Sequence, residues 1–304
     1  MEKVTFRYAL SEEQKKKKEA KVAQLLKNPY VKAWMKAYQA DEQYIYDHSG
    51  KFSDWCEMKA KCENCRGLEF CRQKTPGEVM ELYDDGILSY RITTCAFQRK
   101  LSKEKAHAKY YRDMDMLEDY LLVDVARLDI HNESKEYKAA VMKVIELIMN
   151  EKPQKGLYLW GKPGAGKSYL AAGICNHFAK NKKKVAFVNV PKLISDLKMM
   201  FHDPDAMDQR LRRIKNADVL VLDDIGGESI TSWSRDDILL PILDARMEKR
   251  RLTIFTSNYS LEELKSRLRV TTNKISEPVA AERLLERIRA LSCEIFIKGE
   301  TRRK

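Results

Sequence analysis

Long apolar runs are missing from this chain. Its start, Met1 to Leu10, lacks the apolar core of a secretory signal, and no later segment is long and apolar enough to span a bilayer. A cytoplasmic protein with no membrane partner is therefore expected. No internal repeat is evident, which sets stacked-repeat architectures aside. Acidic residues are outnumbered, 45 against 57 Lys and Arg, for a net charge of +12. That balance disfavours a cationic partner and favours a polyanion such as nucleic acid. Histidine is scarce at five in 304 residues, which leaves few imidazoles for metal chemistry. With 44% hydrophobic residues, general disorder is excluded and a packed core is expected in at least one domain.

What is present centres on one octapeptide. Gly161, Lys162, Pro163, Gly164, Ala165, Gly166, Lys167 and Ser168 read G-x-x-x-x-G-K-S directly after the apolar run Leu157 to Trp160 and ahead of a helix pattern. Strand, glycine loop and helix start are the context in which backbone N–H groups turn around phosphate oxygens. Lys167 then reaches the β and γ phosphates, and Ser168 offers a hydroxyl to Mg2+. A nucleoside triphosphate, ATP, is the expected ligand.

A second apolar strand, Val219 to Leu222, ends in Asp223 and Asp224. Carboxylates at that end of a central strand lie beside the phosphate loop, where Asp223 would hold Mg2+ and Asp224 would polarise the attacking water. A third strand, Leu252 to Thr256, runs into Ser257 and Asn258, whose neutral amide can orient water or sense the γ phosphate. Glu136 to Asn150 reads as an amphipathic helix leading into the loop and covering the nucleotide base, and Val185 to Val190 as a buried strand followed by a helix from Pro191. Alternating strands and helices predict a parallel sheet covered on both faces. Near the end, Ala281 to Leu291 is a helix bearing Arg283, Arg287 and Arg289. Such an arginine can stabilise charge on a transferring phosphoryl group.

The N-terminal third is different. Ser11 to Gln39 is charged and helix-favouring, with Pro29 dividing it, and Lys15 to Lys18 reads better as a solvated face than as a nucleic-acid contact. Five of the seven cysteines fall between Cys56 and Cys95. Structural disulfides are disfavoured in a reducing compartment, so Cys62, Cys65, Cys71 and Cys95 are the expected ligands of a structural Zn2+. Cys56, His48 and His107 are the spare donors. Asp84, Asp85 and Gly86 mark a hairpin turn before a strand from Ile87 to Thr94. Gln98 to Asp115 is dense in charge and thin in aliphatics, as in a linker.

Taken in order, these motifs resemble the AAA+ ATPases of the initiator and helicase-loader clade. With the cysteine domain in front, the arrangement is similar to the primosomal helicase loaders of Gram-positive bacteria. The resemblance implies an α/β AAA+ P-loop NTPase with a five-stranded parallel sheet, preceded by a small, mainly helical zinc-binding domain. The expected division is 1–100 for the zinc and helicase-contacting domain, 101–135 for a charged linker and 136–304 for the ATPase. It also implies ATP hydrolysis between subunits, ATP-dependent self-assembly, single-stranded DNA binding, and docking on a hexameric replicative helicase among other primosome proteins. Within it, Glu282 to Arg289 looks like the arginine-finger box, with Arg287 the better match to the finger. No sensor-2 arginine is clear; Arg302 and Arg303 are the remaining positions for one. Lys184 and Lys192 are candidate DNA contacts. The rival readings are a transposition-helper ATPase of the same clade, which is expected to lack the cysteine domain, a small-molecule P-loop kinase, and a zinc-containing nucleic-acid adaptor that keeps ATP as a structural ligand. DNA-stimulated ATP turnover separates the first family of readings from the kinase.

Overall fold

The computed structural model describes residues 11–269 and 276–299, so Met1 to Leu10, Arg302 and Arg303 lie outside the described residues. The chain divides between Glu104 and Lys105 into two compact units.

The first unit opens with α1 (Glu12–Leu25) and α2 (Pro29–Tyr38). Ser11 caps α1 through a reciprocal pair of bonds with Gln14, which satisfies two of the backbone donors a helix start leaves open. Pro29 occupies the first turn of α2, where its missing N–H costs nothing, and the Asn28 side chain caps it. Lys15 and Lys17 pair with Glu12 and Glu13 on an exposed face. Two further helices follow, α3 (Glu42–Asp47) and α4 (Ser49–Ala60), then a hairpin of β1 (Glu78–Asp84) and β2 (Leu88–Thr94), and α5 (Ala96–Glu104). The hairpin turns where expected: Gly86 adopts φ 102° and donates its N–H to Asp84. Val31, Ile45, Phe52 and Trp55 fill the small core with Leu82 and Leu88 of the hairpin, and the indole N–H groups of Trp34 and Trp55 donate to the carbonyls of Leu82 and Met80.

The second unit is a parallel sheet with helices on both faces. In chain order it contains β3 (Tyr111–Met114), α6 (Lys135–Met149), β4 (Gly156–Trp160), α7 (Lys167–Lys180), β5 (Val185–Asn189), α8 (Val190–Met199), α9 (Pro204–Asn216) and β6 (Val219–Asp223). A π-helical turn over Trp233–Leu239 leads into α10 (Leu240–Glu248), β7 (Leu252–Ser257), α11 (Leu261–Arg269), α12 (Pro278–Leu291) and β8 (Ser292–Phe296). The strand order is β3-β5-β6-β7-β4-β8. Every residue of β6 and β7 is buried, as both-sided cover of a parallel sheet requires. Leu220 and Leu222 pack on one face with α8 and α12, whereas Val219 and Val221 pack on the other with α6 and α7. Truncating a fully buried leucine such as Leu222 to alanine would cost ~2–5 kcal/mol.

Two expectations are corrected. The sheet has six strands and not five, because β3 adds an edge to β5 through Tyr111↔Val185 and Met114↔Phe187. And the stretch 101–135, expected as a linker, is built into the ATPase unit from Lys105 onward. Val125 approaches α7 so closely that a Cβ on Gly173 would lie 2.3 Å from its methyl group. Asn176 of α7, fully buried, donates to the carbonyls of Tyr120 and Val123 and accepts from Tyr111. The charges that suggested a linker serve packing: Asp113 and Asp115 receive the buried guanidinium of Arg210 from α9. Arg246 of α10, also fully buried, donates to the carbonyls of Ala217 and Leu252 and to Thr253, tying together the starts of β6 and β7.

Candidate functional site

The octapeptide forms the turn between β4 and α7. Gly161 stands at φ 151° with the carbonyl of Ile297 only 2.4 Å from where a Cβ would be, and Gly164 and Gly166 adopt φ 82° and 93°. No L side chain fits the first position, and the other two favour glycine strongly. Ala165 is buried beneath the loop. Lys167 begins α7, 7% exposed, and its ammonium donates to the carbonyls of Gly161 and Lys162 at 2.8 and 2.9 Å and to Asn258 Oδ1 at 2.9 Å.

Asn258 then passes the contact on. Its Nδ2 donates to Asp224 Oδ1 at 2.9 Å, so one amide bridges the lysine of the loop and the second carboxylate. Asp224 sits at φ 58°, just past the strand end, and its own N–H donates to Thr256 Oγ1. The same hydroxyl donates to Asp223 Oδ1 at 2.7 Å, while Asn189 Nδ2 approaches Asp223 Oδ2 at 3.4 Å. Both oxygens of Asp223, a residue 8% exposed, thus accept hydrogen bonds from neutral donors.

These groups border one cavity of about 800 Å3, lined by Pro163, Gly164, Gly166, Lys167, Ser168, Asp223, Asp224 and Asn258. Three strand ends and one helix start therefore converge as the sequence implied. Sequence reasoning missed Asn189, Thr256, and the wall made by Tyr120, Leu128, Asp129 and Tyr169. Tyr137 of α6 lines the cavity too, in the helix expected to cover the base. Tyr120 packs edge-on against Tyr169 at 5.7 Å; the pair of tyrosines was visible in the sequence, but the first lay in the expected linker.

Arg287 does not line this cavity. On α12 its guanidinium donates to Asp244 at 2.9 Å, and Arg289 pairs with Glu262 and Glu282, whereas Arg283 is exposed. Lys192 is held by Asp115 and Asp196 at 2.6 and 2.9 Å, and those bonds push its pKa up. Its ammonium, on an exposed side chain, is thus already engaged by two carboxylates. Lys184 remains exposed.

In the first unit Cys62, Cys65, Cys71 and Cys95 border a single cavity of about 280 Å3, but all are free thiols. Among the described residues no three His, Cys, Asp or Glu side chains are set closely enough to hold a metal ion, so the expected zinc centre is not formed as a ligand cluster. Two sulfurs nonetheless accept hydrogen bonds: Cys95 from the Gln98 N–H at 3.4 Å and Cys62 from Gln73 Nε2 at 3.2 Å. Cys56 lies apart against the aromatic core, where burial raises its thiol pKa. Among the described residues no helix is long and apolar enough to cross a membrane.

Residues 93–304 match the family described as IstB-like ATP binding protein. The replicative helicase loader DnaI of Bacillus subtilis (strain 168) is 32% identical over 285 residues, 92% of this chain and 91% of its own length. The replicative helicase loader DnaC of Escherichia coli (strain K12) is 33% identical over 105 residues, 34% of this chain and 42% of that protein. Among solved structures, a crystal structure of DnaI superposes with a TM-score of 0.55 at 34% identity, covering 65% of this chain and 99% of that one. The DnaC helicase loader gives 0.50 at 26% identity, covering 60% and 100%.

Proposed function

The chain belongs to the IstB-like ATP binding protein family, and from that membership and the geometry above we propose that it is an ATP-hydrolysing loader of the replicative DNA helicase. The observation that carries the loader reading is the extent of the match to DnaI. At 92% of this chain it leaves too little out to omit the cysteine-bearing first unit. A transposition helper, expected to lack that unit, is disfavoured on the same ground.

In this reading the triphosphate lies along the glycine loop and takes over donors that Lys167 gives to the loop carbonyls. Ser168 and Asp223 would hold Mg2+, which would supply neutralising charge to the triphosphate. Asp224 polarises the attacking water, and Asn258, bonded to both Lys167 and Asp224, reports the state of the γ phosphate to that carboxylate. Arg287 leaves Asp244 to enter a neighbouring subunit's site, so hydrolysis accompanies ATP-dependent self-assembly. The basic surface holds single-stranded DNA, with Lys184 among the contacts, and the first unit grips the hexameric helicase in the cytoplasm alongside other primosome proteins. Cys62, Cys65, Cys71 and Cys95, which border the smaller cavity, would supply the ligands of one structural Zn2+.

The test is a pull-down of the cognate replicative helicase by the full chain, with and without ATP, followed by helicase transfer to single-stranded DNA. Capture and transfer are expected. Absence of capture in every nucleotide state rejects the loader reading while leaving ATP binding intact.

A further inference from the structure

The loop after β6 has to place the Asp224 carboxylate, and its path is improbable without help. Asp224 is a non-glycine residue at φ 58°, a conformation that costs energy unless the surroundings impose it, and Gly226 stands at φ 88°, where glycine alone turns without strain. Gly227 lies against the carboxylate itself: a Cβ there would come 2.6 Å from Asp224 Oδ2. Whatever fixes residues 225 to 228 therefore fixes where Asp224 points.

Both polar groups of the Gly226 backbone are taken by charged side chains. Its N–H donates to Glu228 Oε2 at 2.8 Å, and its carbonyl accepts from Arg267 Nε at 3.0 Å. Glu228 is 5% exposed and its other oxygen, Oε1, is buried with no hydrogen-bond partner. A carboxyl kept in that condition carries a desolvation penalty that surface loops do not retain without cause. Burial raises its pKa, the charge of Asp224 adds to the rise and Arg267 opposes it, so the three groups are within electrostatic reach of one another.

Arg267 is placed firmly. Its guanidinium lies over the Tyr259 ring at 4.5 Å, and Tyr259 follows Asn258 directly. Leu264, one turn earlier on α11, leaves no room for a Cβ on Gly226, at 2.6 Å. The end of α11 is held in turn by Arg235, which donates to the Leu268 carbonyl and to Glu277.

We propose that Glu228 and Arg267 are positioning residues for Asp224, gripping the Gly226 backbone from its two sides so that the carboxylate meets the attacking water. Neither residue lines the cavity of the phosphate loop. This inference rests on the reading of Asp224 as the group that orients water.

The experiment measures kcat for ATP hydrolysis and, separately, nucleotide affinity in wild type, Arg267→Ala, Arg267→Lys, Glu228→Ala, Glu228→Gln and Asp224→Asn, with melting curves for each. Because a hydrogen bond to a charged group is at stake, Arg267→Ala and Glu228→Ala should each lower kcat roughly tenfold or more. Nucleotide affinity should change by less than about twofold, the split expected when an interaction matters mainly in the transition state. Glu228→Gln keeps an oxygen for the Gly226 N–H and should recover most of kcat, and Arg267→Lys should recover part of it. Arg267 is at the surface, so its alanine variant keeps the fold even where Glu228→Ala does not. Wild-type kcat in Arg267→Ala and in the double variant Glu228→Gln/Arg267→Ala, beside an inactive Asp224→Asn, overturns the clamp alone. Full turnover in Asp224→Asn overturns the role of Asp224 and the clamp with it.

Discussion

Replacing Asn258 by alanine tests the centre of the site. Its amide is hydrogen-bonded to Lys167 and Asp224 together, at 2.9 Å each. Alanine removes both bonds and adds no charge, and Asn258 stands at a strand end at half-buried depth, so the sheet is not emptied. A hydrogen bond to a charged partner contributes about 1.5–3 kcal/mol. If one such bond is lost selectively in the transition state, kcat falls about 10- to 100-fold, at about 1.36 kcal/mol per decade. The affinity for MgATP should move much less, because Lys167 keeps its carbonyl acceptors and the loop N–H groups are untouched. The assay is steady-state phosphate release at saturating ATP, with affinity read from a fluorescent ATP analogue. An equal loss in affinity and kcat would mean that Asn258 serves binding and not the water; a kcat within about twofold of wild type would refute the bridge altogether.

The remaining expectations concern the other parts of the proposal. Lys167→Ala should abolish nucleotide binding, and wild-type affinity in that variant would sink the phosphate-loop reading. Arg287→Ala should bind ATP and hydrolyse it poorly, with a loss on the order of 10^3-fold; mixing it with Lys167→Ala protein should restore turnover, and no recovery at any ratio would remove the between-subunit finger. Elemental analysis of the purified full chain should find one zinc per chain that is absent from a Cys62→Ser/Cys65→Ser variant, and a metal-free wild type would leave these four residues as ordinary thiols. Raising the salt concentration should weaken binding to single-stranded DNA, with a log-log slope of about 0.7 for each phosphate the protein neutralises. Lys184→Ala should flatten that slope, whereas Lys192→Ala, whose charge is already engaged, should not.

Much of the ATPase was legible in the chain because its chemistry is local. A glycine loop between an apolar strand and a helix constrains its own geometry, and the strands ending in Asp223–Asp224 and Ser257–Asn258 carry a hydrophobic run long enough to be buried on both sides. The loop, the two carboxylates and the amide converge as their order implied. Pro29 and the Asp84–Gly86 turn were equally plain, since each acts through backbone dihedrals or a missing donor at one position.

What the sequence could not decide depended on partners distant along the chain. The segment from Lys105 reads as a linker because its charges are visible and their burial is not: Asp113 and Asp115 are neutralised by Arg210, which stands far along the chain on α9. That pairing makes room for a sixth strand and brings Tyr120 and Leu128 to the nucleotide cavity. Lys192 looked free for phosphate until Asp115 and Asp196 took its ammonium. The order of residues alone points to Gly161 to Ser168 as a loop shaped for a triphosphate; only the tertiary structure decided what surrounds it, because hydrogen bonds and ion pairs between remote segments are fixed by how the sheet stacks its strands and not by spacing along the chain.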